Sequence, residues 1–184
     1  MLKITIPEQE VYDDENNEFF TIREQSLTLE HSLVSIAKWE SKWVKPFIDD
    51  KHDKTYEEMV DYIRCMTLTQ GVDPAVYNYI PNDEYDRITA YIEAPMTATK
   101  ISRNNESRAG IGRHEIITAE IIYYWMITLG IPFECQKWHI NRLITLIQVC
   151  NIKNTPPKKM SKKGVYSQNS ALNAARRKAM RSKG

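Results

Sequence analysis

The sequence predicts a mainly α-helical protein with a small N-terminal β element, an α+β fold that ends in a basic C-terminal arm. Three observations carry this expectation: period-two alternation confined to the first 29 residues, apolar residues at helical spacing through most of 32–150, and a break in composition beyond Asn154. With 184 residues, 42% of them hydrophobic and 27% charged, the chain has material for one hydrophobic core plus an appendage. The expected division is a helical domain over 1–153 and an arm, flexible or marginally helical, over 154–184.

At the N-terminus Leu2, Ile4 and Ile6 alternate, a polar run follows at 13–17, and an apolar run resumes at Phe19-Phe20-Thr21-Ile22. Two such runs around an Asp/Asn cluster predict a hairpin, with 26–29 either a third strand or the lead into a helix. From Ser32 the period changes. Leu33, Ile36, Ala37, Trp43 and Val44 predict a helix to about residue 45, stopped by Pro46. Thr55-Tyr56-Glu57-Glu58 has the form of a capping box, opening a helix whose face is Met59, Tyr62, Ile63 and Met66. A short apolar segment at 76–80 precedes a helix capped near Asn82, with Tyr85, Ile88, Tyr91 and Ile92 on one face and Pro95 beyond its end. Residues 100–113, rich in cations and holding two glycines, predict an exposed mobile loop.

Positions 115–129 are apolar nearly all round, which predicts a central buried helix closed by Gly130. Pro132 then opens a further helix with Ile140, Leu143, Ile144 and Ile147 on its inner face. Only Gly130-Ile131-Pro132 separates the two, so an antiparallel helical hairpin is expected. Pro156-Pro157 breaks the last core helix. Residues 170–180 are alanine-rich and weakly amphipathic, and an isolated helix needs about 12–15 residues to be even marginal in water.

Charge is distributed unevenly. Ten of the 25 Lys and Arg lie in the last 32 residues, which hold none of the 24 Asp and Glu, so 153–184 carries +10 and the rest of the chain −9. Cys65, Cys135 and Cys150 are odd in number and form no CxxC pair, which predicts core thiols in a reducing compartment. The first residues lack a long apolar run, and the most apolar stretch is too short to span a bilayer. A soluble cytoplasmic protein without membrane attachment is therefore expected.

The search for reactive chemistry assembles no catalytic, cofactor or metal site. Cys135 and His139, four apart, are expected on one helical face but supply only two of the four ligands of structural zinc. His114-Glu115 lacks the second histidine of an HExxH motif, because position 118 is Thr. There is no GxSxG, P-loop or GxGxxG, and the acidic runs lie in polar loops. A non-enzymatic protein without a cofactor is expected. The partner-binding candidates are Trp39 and Trp43, interleaved with lysines, and the arm cations Lys158, Lys159, Lys162, Lys163, Arg176, Arg177, Lys178 and Arg181. Core packing is the plainer role for the tryptophans. The arm's charge suits unspecific nucleic acid or an acidic protein surface, including that of another copy.

Several strings together resemble a known family: His31 through Trp43 (HSLVSIAKWESKW), Pro95-Met96-Thr97-Ala98-Thr99, Glu115 through Trp125, Pro132 through His139 (PFECQKWH), Cys150-Asn151-Ile152-Lys153 to Pro156-Pro157-Lys158-Lys159-Met160, and Asn173-Ala174-Ala175-Arg176-Arg177. Over nearly its whole length the chain is similar to the tail assembly chaperones of tailed bacteriophages and prophages. The resemblance implies a partner, the tape measure protein, a long helical protein kept soluble until tail-tube subunits polymerise around it, or other tail proteins. It also implies the bacterial host cytoplasm and brings no catalytic residues. Two other expectations stand beside it: a structural head, neck or tail component of the virion, and a nucleic-acid-binding accessory protein acting through the arm.

Overall fold

A computed structural model describes residues 1–13, 17–48, 54–101, 116–155 and 162–180; for Asp13 and 162–165 it describes the backbone alone. The loop expected at 100–113 falls, past Ile101, outside the described residues. The chain divides into two compact units, Met1–Asn151 and Ile152–Gly184.

Four strands open the first unit: β1 (Leu2–Ile6), β2 (Gln9–Asp13), β3 (Glu18–Ile22) and β4 (Gln25–Leu29). They are two antiparallel pairs, β1 with β4 and β2 with β3. The register passes from one pair to the other without a slip, since Ile6 faces Gln25 and Gln9 faces Ile22. The four strands are thus the two arms of one long hairpin, interrupted where Pro7 has no N–H to give to a ladder. This corrects the expected pairing. A hairpin folds outward from its turn, so β3 pairs with the adjacent β2 and leaves β1 opposite β4. The β2 strand escaped notice because Gln9-Glu10-Val11-Tyr12-Asp13 carries one aliphatic residue. Asn17, in the turn, adopts a positive φ of 54°, which Asn tolerates, and its side chain accepts the Tyr12 hydroxyl at 2.7 Å.

Ile4, Ile6, Ile22, Leu27 and Leu29 turn one face of the ribbon into the core. Residues after the second helix extend it, with Leu68 N–H donating to Thr28 C=O at 2.8 Å and Glu30 N–H to Met66 C=O at 2.9 Å. Helices α1 (Leu33–Trp43) and α2 (Tyr56–Met66) follow, then a 3-10 segment (Pro74–Tyr79) and α3 (Asn82–Glu93). The capping box at Thr55 is formed: Glu58 N–H donates to Thr55 Oγ1 at 3.2 Å, and Thr55 N–H to Glu58 Oε2 at 2.9 Å. After a loop, α4 (Ala119–Thr128), a second 3-10 segment (Phe133–Lys137) and α5 (Ile140–Asn154) complete the described part of this unit, α5 running into the second.

The buried centre is α1. It packs on α2, α4 and the second 3-10 segment, with Leu33, Ser35, Ile36, Trp39 and Glu40 all buried. The expectation for 115–129 is corrected in the same terms: only Ala119, Ile122 and Met126 of α4 are fully buried, while Tyr124 and Ile127 are each 64% exposed. The helical hairpin is also longer in its joint than expected. Gly130, at φ +64°, ends α4 in a Schellman arrangement, with Ile131 N–H donating to Met126 C=O at 2.8 Å, but Pro132 opens a 3-10 turn and α5 starts only at Ile140.

The turn after α1 has an unusual residue. Val44 sits at φ 53°, ψ 38° with 87% of its surface exposed. A β-branched side chain costs about 1 kcal/mol in the left-handed region. Val44→Asn is therefore expected to raise stability by up to about 1 kcal/mol, since little packing is lost. Urea unfolding checks this, and an unchanged or lower midpoint counts against it.

Candidate partner-binding surfaces

The two tryptophans singled out from the sequence part company in the fold. Trp39 is 1% exposed, its Nε1–H donates to Glu58 C=O at 2.9 Å, and its ring meets Phe47 edge-on at 5.2 Å. It is a core residue with no face left for a partner. Trp43, half-buried, stacks on Trp39 at 6.2 Å and donates Nε1–H to Asp61 Oδ2 at 2.9 Å. Lys42 pairs with Asp61, and Lys45 with Glu58 at 2.5 Å. Burial pushes the Asp61 carboxyl up, but the Lys42 and Trp43 hydrogen bonds outweigh it and the net shift is down. The lysines beside Trp43 are thus engaged within the fold, and the shallow cleft there, of about 230 Å³, contains Trp43 with Tyr56, Asp61 and Arg64.

In the second unit, α6 (Lys162–Met180) is a 19-residue helix, longer than the expected 170–180. Lys162 and Lys163 lie in its first turn, and Arg176, Arg177 and Lys178 near its end, exposed to solvent like every described side chain of the helix. Lys158, Lys159 and Arg181 lie outside the described residues. Tyr166 is 83% exposed, and Leu172, Ala175 and Ala179 fall on one face at i, i+3 and i+7.

A third surface was not singled out from the sequence. Tyr124 and Ile127 stand side by side on the outer face of α4, Ile116 is half-exposed before it, and exposed Phe133 lies 6.5 Å from the Tyr123 ring. The signal was present in the all-round apolar character of 116–127, which sequence reasoning assigned to burial.

Two buried polar groups tie elements of this unit together, and the first holds this surface in place. Glu40 Oε1 accepts Phe47 N–H and Oε2 accepts Ala119 N–H, each at 2.7 Å, so one carboxylate ties the end of α1 to the following loop and to the first residue of α4. Burial raises its pKa; the two N–H groups oppose this and nearby Glu120 adds to it. No cation pairs with it among the described residues. Glu40→Ala is expected to cost about 2 kcal/mol, because two buried donors lose their acceptor. Glu40→Gln, which keeps one acceptor oxygen, should cost about half as much. Equal losses in chemical unfolding for the two variants would show that the second bond contributes nothing.

The other group is a histidine pair. The His31 and His139 rings are buried edge-to-face at 4.8 Å. Burial raises the Tyr62 phenol far above its ordinary range, so it stays protonated, and its hydroxyl shares a hydrogen bond with His31 Nδ1 at 2.5 Å. Tyr91 C=O can only accept, so His139 Nε2 carries the proton toward it at 2.9 Å, and Nδ1 receives Asn141 N–H at 3.3 Å. His139 is therefore spent on structure. It precedes α5 while Cys135 lies in the 3-10 segment, so the two do not share a helical face as expected. Among the described residues no group of three or more His, Cys, Asp or Glu is placed to hold a metal, and the three cysteines are free. No described helix is long and apolar enough to cross a membrane.

Comparison of the chain with protein-family models, curated proteins and solved structures finds no match.

Proposed function

We propose that the protein is a non-enzymatic tail assembly chaperone of a tailed phage or prophage. It acts in the bacterial cytoplasm and binds the tape measure protein to keep it soluble. The observation that carries this reading is the exposed apolar face of α4, Tyr124 with Ile127 and neighbouring Ile116 and Phe133, on an otherwise acidic body. A long apolar helix has nothing to bury against until tube subunits surround it, and an apolar strip on a charged carrier offers such a face. The basic arm adds a second point of attachment.

The test is co-expression of the full chain with the cognate tape measure protein. The soluble yield of the latter should fall several-fold with Tyr124→Ser/Ile127→Ser, and removal of 156–184 should weaken capture without changing the melting temperature of the body. Unchanged solubility with the double variant rejects the reading.

One observation favours a second reading. Arg176, Arg177 and Lys178 are exposed on α6 with no acid in that helix, an arrangement suited to phosphates. Salt-sensitive binding of arbitrary DNA by the full chain, lost with Arg176→Gln/Arg177→Gln, would favour a nucleic-acid accessory role.

A further inference from the structure

A cleft of the first unit is lined by none of the residues of the surfaces above. Asn141 Nδ2 donates to Ile92 C=O at 3.1 Å and Ala94 C=O at 2.9 Å, clamping the end of α3 to the start of α5. Beyond the clamp, Pro95 prevents helix from continuing, and Met96 takes a positive φ of 50° that redirects the chain. Residues 96–99 are thereby laid opposite one face of α5. Arg142, Leu146 and Val149, at i, i+4 and i+7, form one wall, the chain at 96–99 the other, and Trp138 one end, enclosing about 430 Å³.

Three properties of the cleft point to one kind of occupant. The Arg142 guanidinium lies 4.1 Å over the Trp138 ring and has no carboxylate partner among the described residues. Among the described residues no acid lines the cleft, although the chain outside the arm carries a net −9. The rest of the lining is largely apolar, with Met96, Trp138, Leu146 and Val149. A Trp–Met–Leu–Val lining takes an apolar side chain, and a stacked guanidinium takes a carboxylate with two parallel hydrogen bonds.

We propose that this cleft binds an acidic peptide segment of a partner protein. The segment places an Asp or Glu on Arg142 and seats a neighbouring apolar residue between Trp138 and Leu146. The body's field opposes a bare anion at a distance but is screened beyond about 8 Å at physiological salt. Recognition therefore rests on contact with the cleft. The site is argued from its own chemistry and does not depend on the chaperone reading.

The test is to pan a random decapeptide display library on the full chain and on its Arg142→Gln variant, then titrate the enriched peptides. Arg142 is exposed and, among the described residues, its guanidinium stacks on the Trp138 ring without an ion pair, so the variant should melt with the parent. Enriched peptides should carry Asp or Glu beside a large apolar residue, bind the parent saturably, and lose at least tenfold in affinity with Arg142→Gln. Val149→Asp should weaken them similarly by placing a like charge in the cleft, whereas Arg176→Gln/Arg177→Gln on the arm should change nothing. Four outcomes overturn the proposal: no enrichment over the Arg142→Gln variant, enriched peptides without acids, affinity that survives both cleft variants, or self-association of the full chain that Arg142→Gln abolishes while no peptide binds. The last would make the cleft a contact between copies.

Discussion

Ile122→Asp is expected to destabilise the protein by about 3 kcal/mol or more, whereas Tyr124→Asp, two residues along the same helix, should cost under about 1 kcal/mol. Ile122 is fully buried where α4 meets the core. A carboxylate there loses its water without gaining a cation, so it must either be protonated or force the helix away. Tyr124 projects from the opposite side, and an acid there remains hydrated. The contrast between the variants is more informative than either alone. Both substitutions add the same charge to the same helix, so propensity and net charge largely cancel and burial remains. Urea unfolding followed by far-ultraviolet dichroism measures the difference, and comparable losses at both positions would mean that α4 is covered on both faces.

The second large effect is a loss of stability in acid, on the order of 3 kcal/mol between pH 7 and 4, attributable to the buried histidines. Burial, reinforced by the charge of neighbouring His139, holds His31 at a pKa of about 3, and burial also lowers His139. In the unfolded chain both return to about 6.5. Between these values the unfolded chain binds protons that the folded one refuses, so stability is fully present above about 6.5 and is lost as the pH falls toward 3. His31 is faced by Tyr62, Phe47 and His139, with Ser35 beside the Tyr62 hydroxyl; no carboxylate among these contacts would stabilise an imidazolium. Glu40 acts in the opposite sense, because burial raises its pKa and the fold then favours its protonated form. Lowered Asp61 and Glu58 add to the acid loss at still lower pH. Comparison with His31→Gln isolates the imidazole contribution: the variant should be weaker at pH 7, through loss of the Tyr62 bond, yet decline less steeply toward pH 4. Parallel profiles would assign the acid sensitivity to the carboxylates instead.

The apolar α4 face and the Arg142 cleft present different chemistry, one an exposed strip for a greasy helix and the other a concave site for an acidic peptide. They lie on different elements, so their variants can be scored separately. A partner that used both would lose affinity in two roughly independent steps. Trp43, bonded to Asp61 beside paired lysines, contributes more to holding α1 against α2 than its composition suggested.

Much of the local architecture was legible from residue pattern because its causes are local. Pro156-Pro157 lies outside the described residues, but the capping box at Thr55, the stops at Pro46 and Pro95 and the left-handed Gly130 each act within a few residues. Their effect is written in neighbouring side chains. Charge segregation between body and arm was equally plain. Pairing and exposure were decided elsewhere. Whether β1 meets β3 or β4 depends on where the hairpin turns, and Gln9–Asp13 shows too little alternation to announce itself. Trp39 and Trp43 look alike in sequence, and only the approach of α2 and Phe47 buries the first and leaves the second half-exposed. The sequence by itself determined most of the helical segments, where the core helices stop and how charge divides along the chain. Tertiary structure alone decided which face of apolar α4 meets α1, that Glu40 clips that contact, and that 96–99 faces Arg142 across a cleft. Each of these joins residues dozens of positions apart, and the free energy of burying them depends on neighbours that no local pattern records.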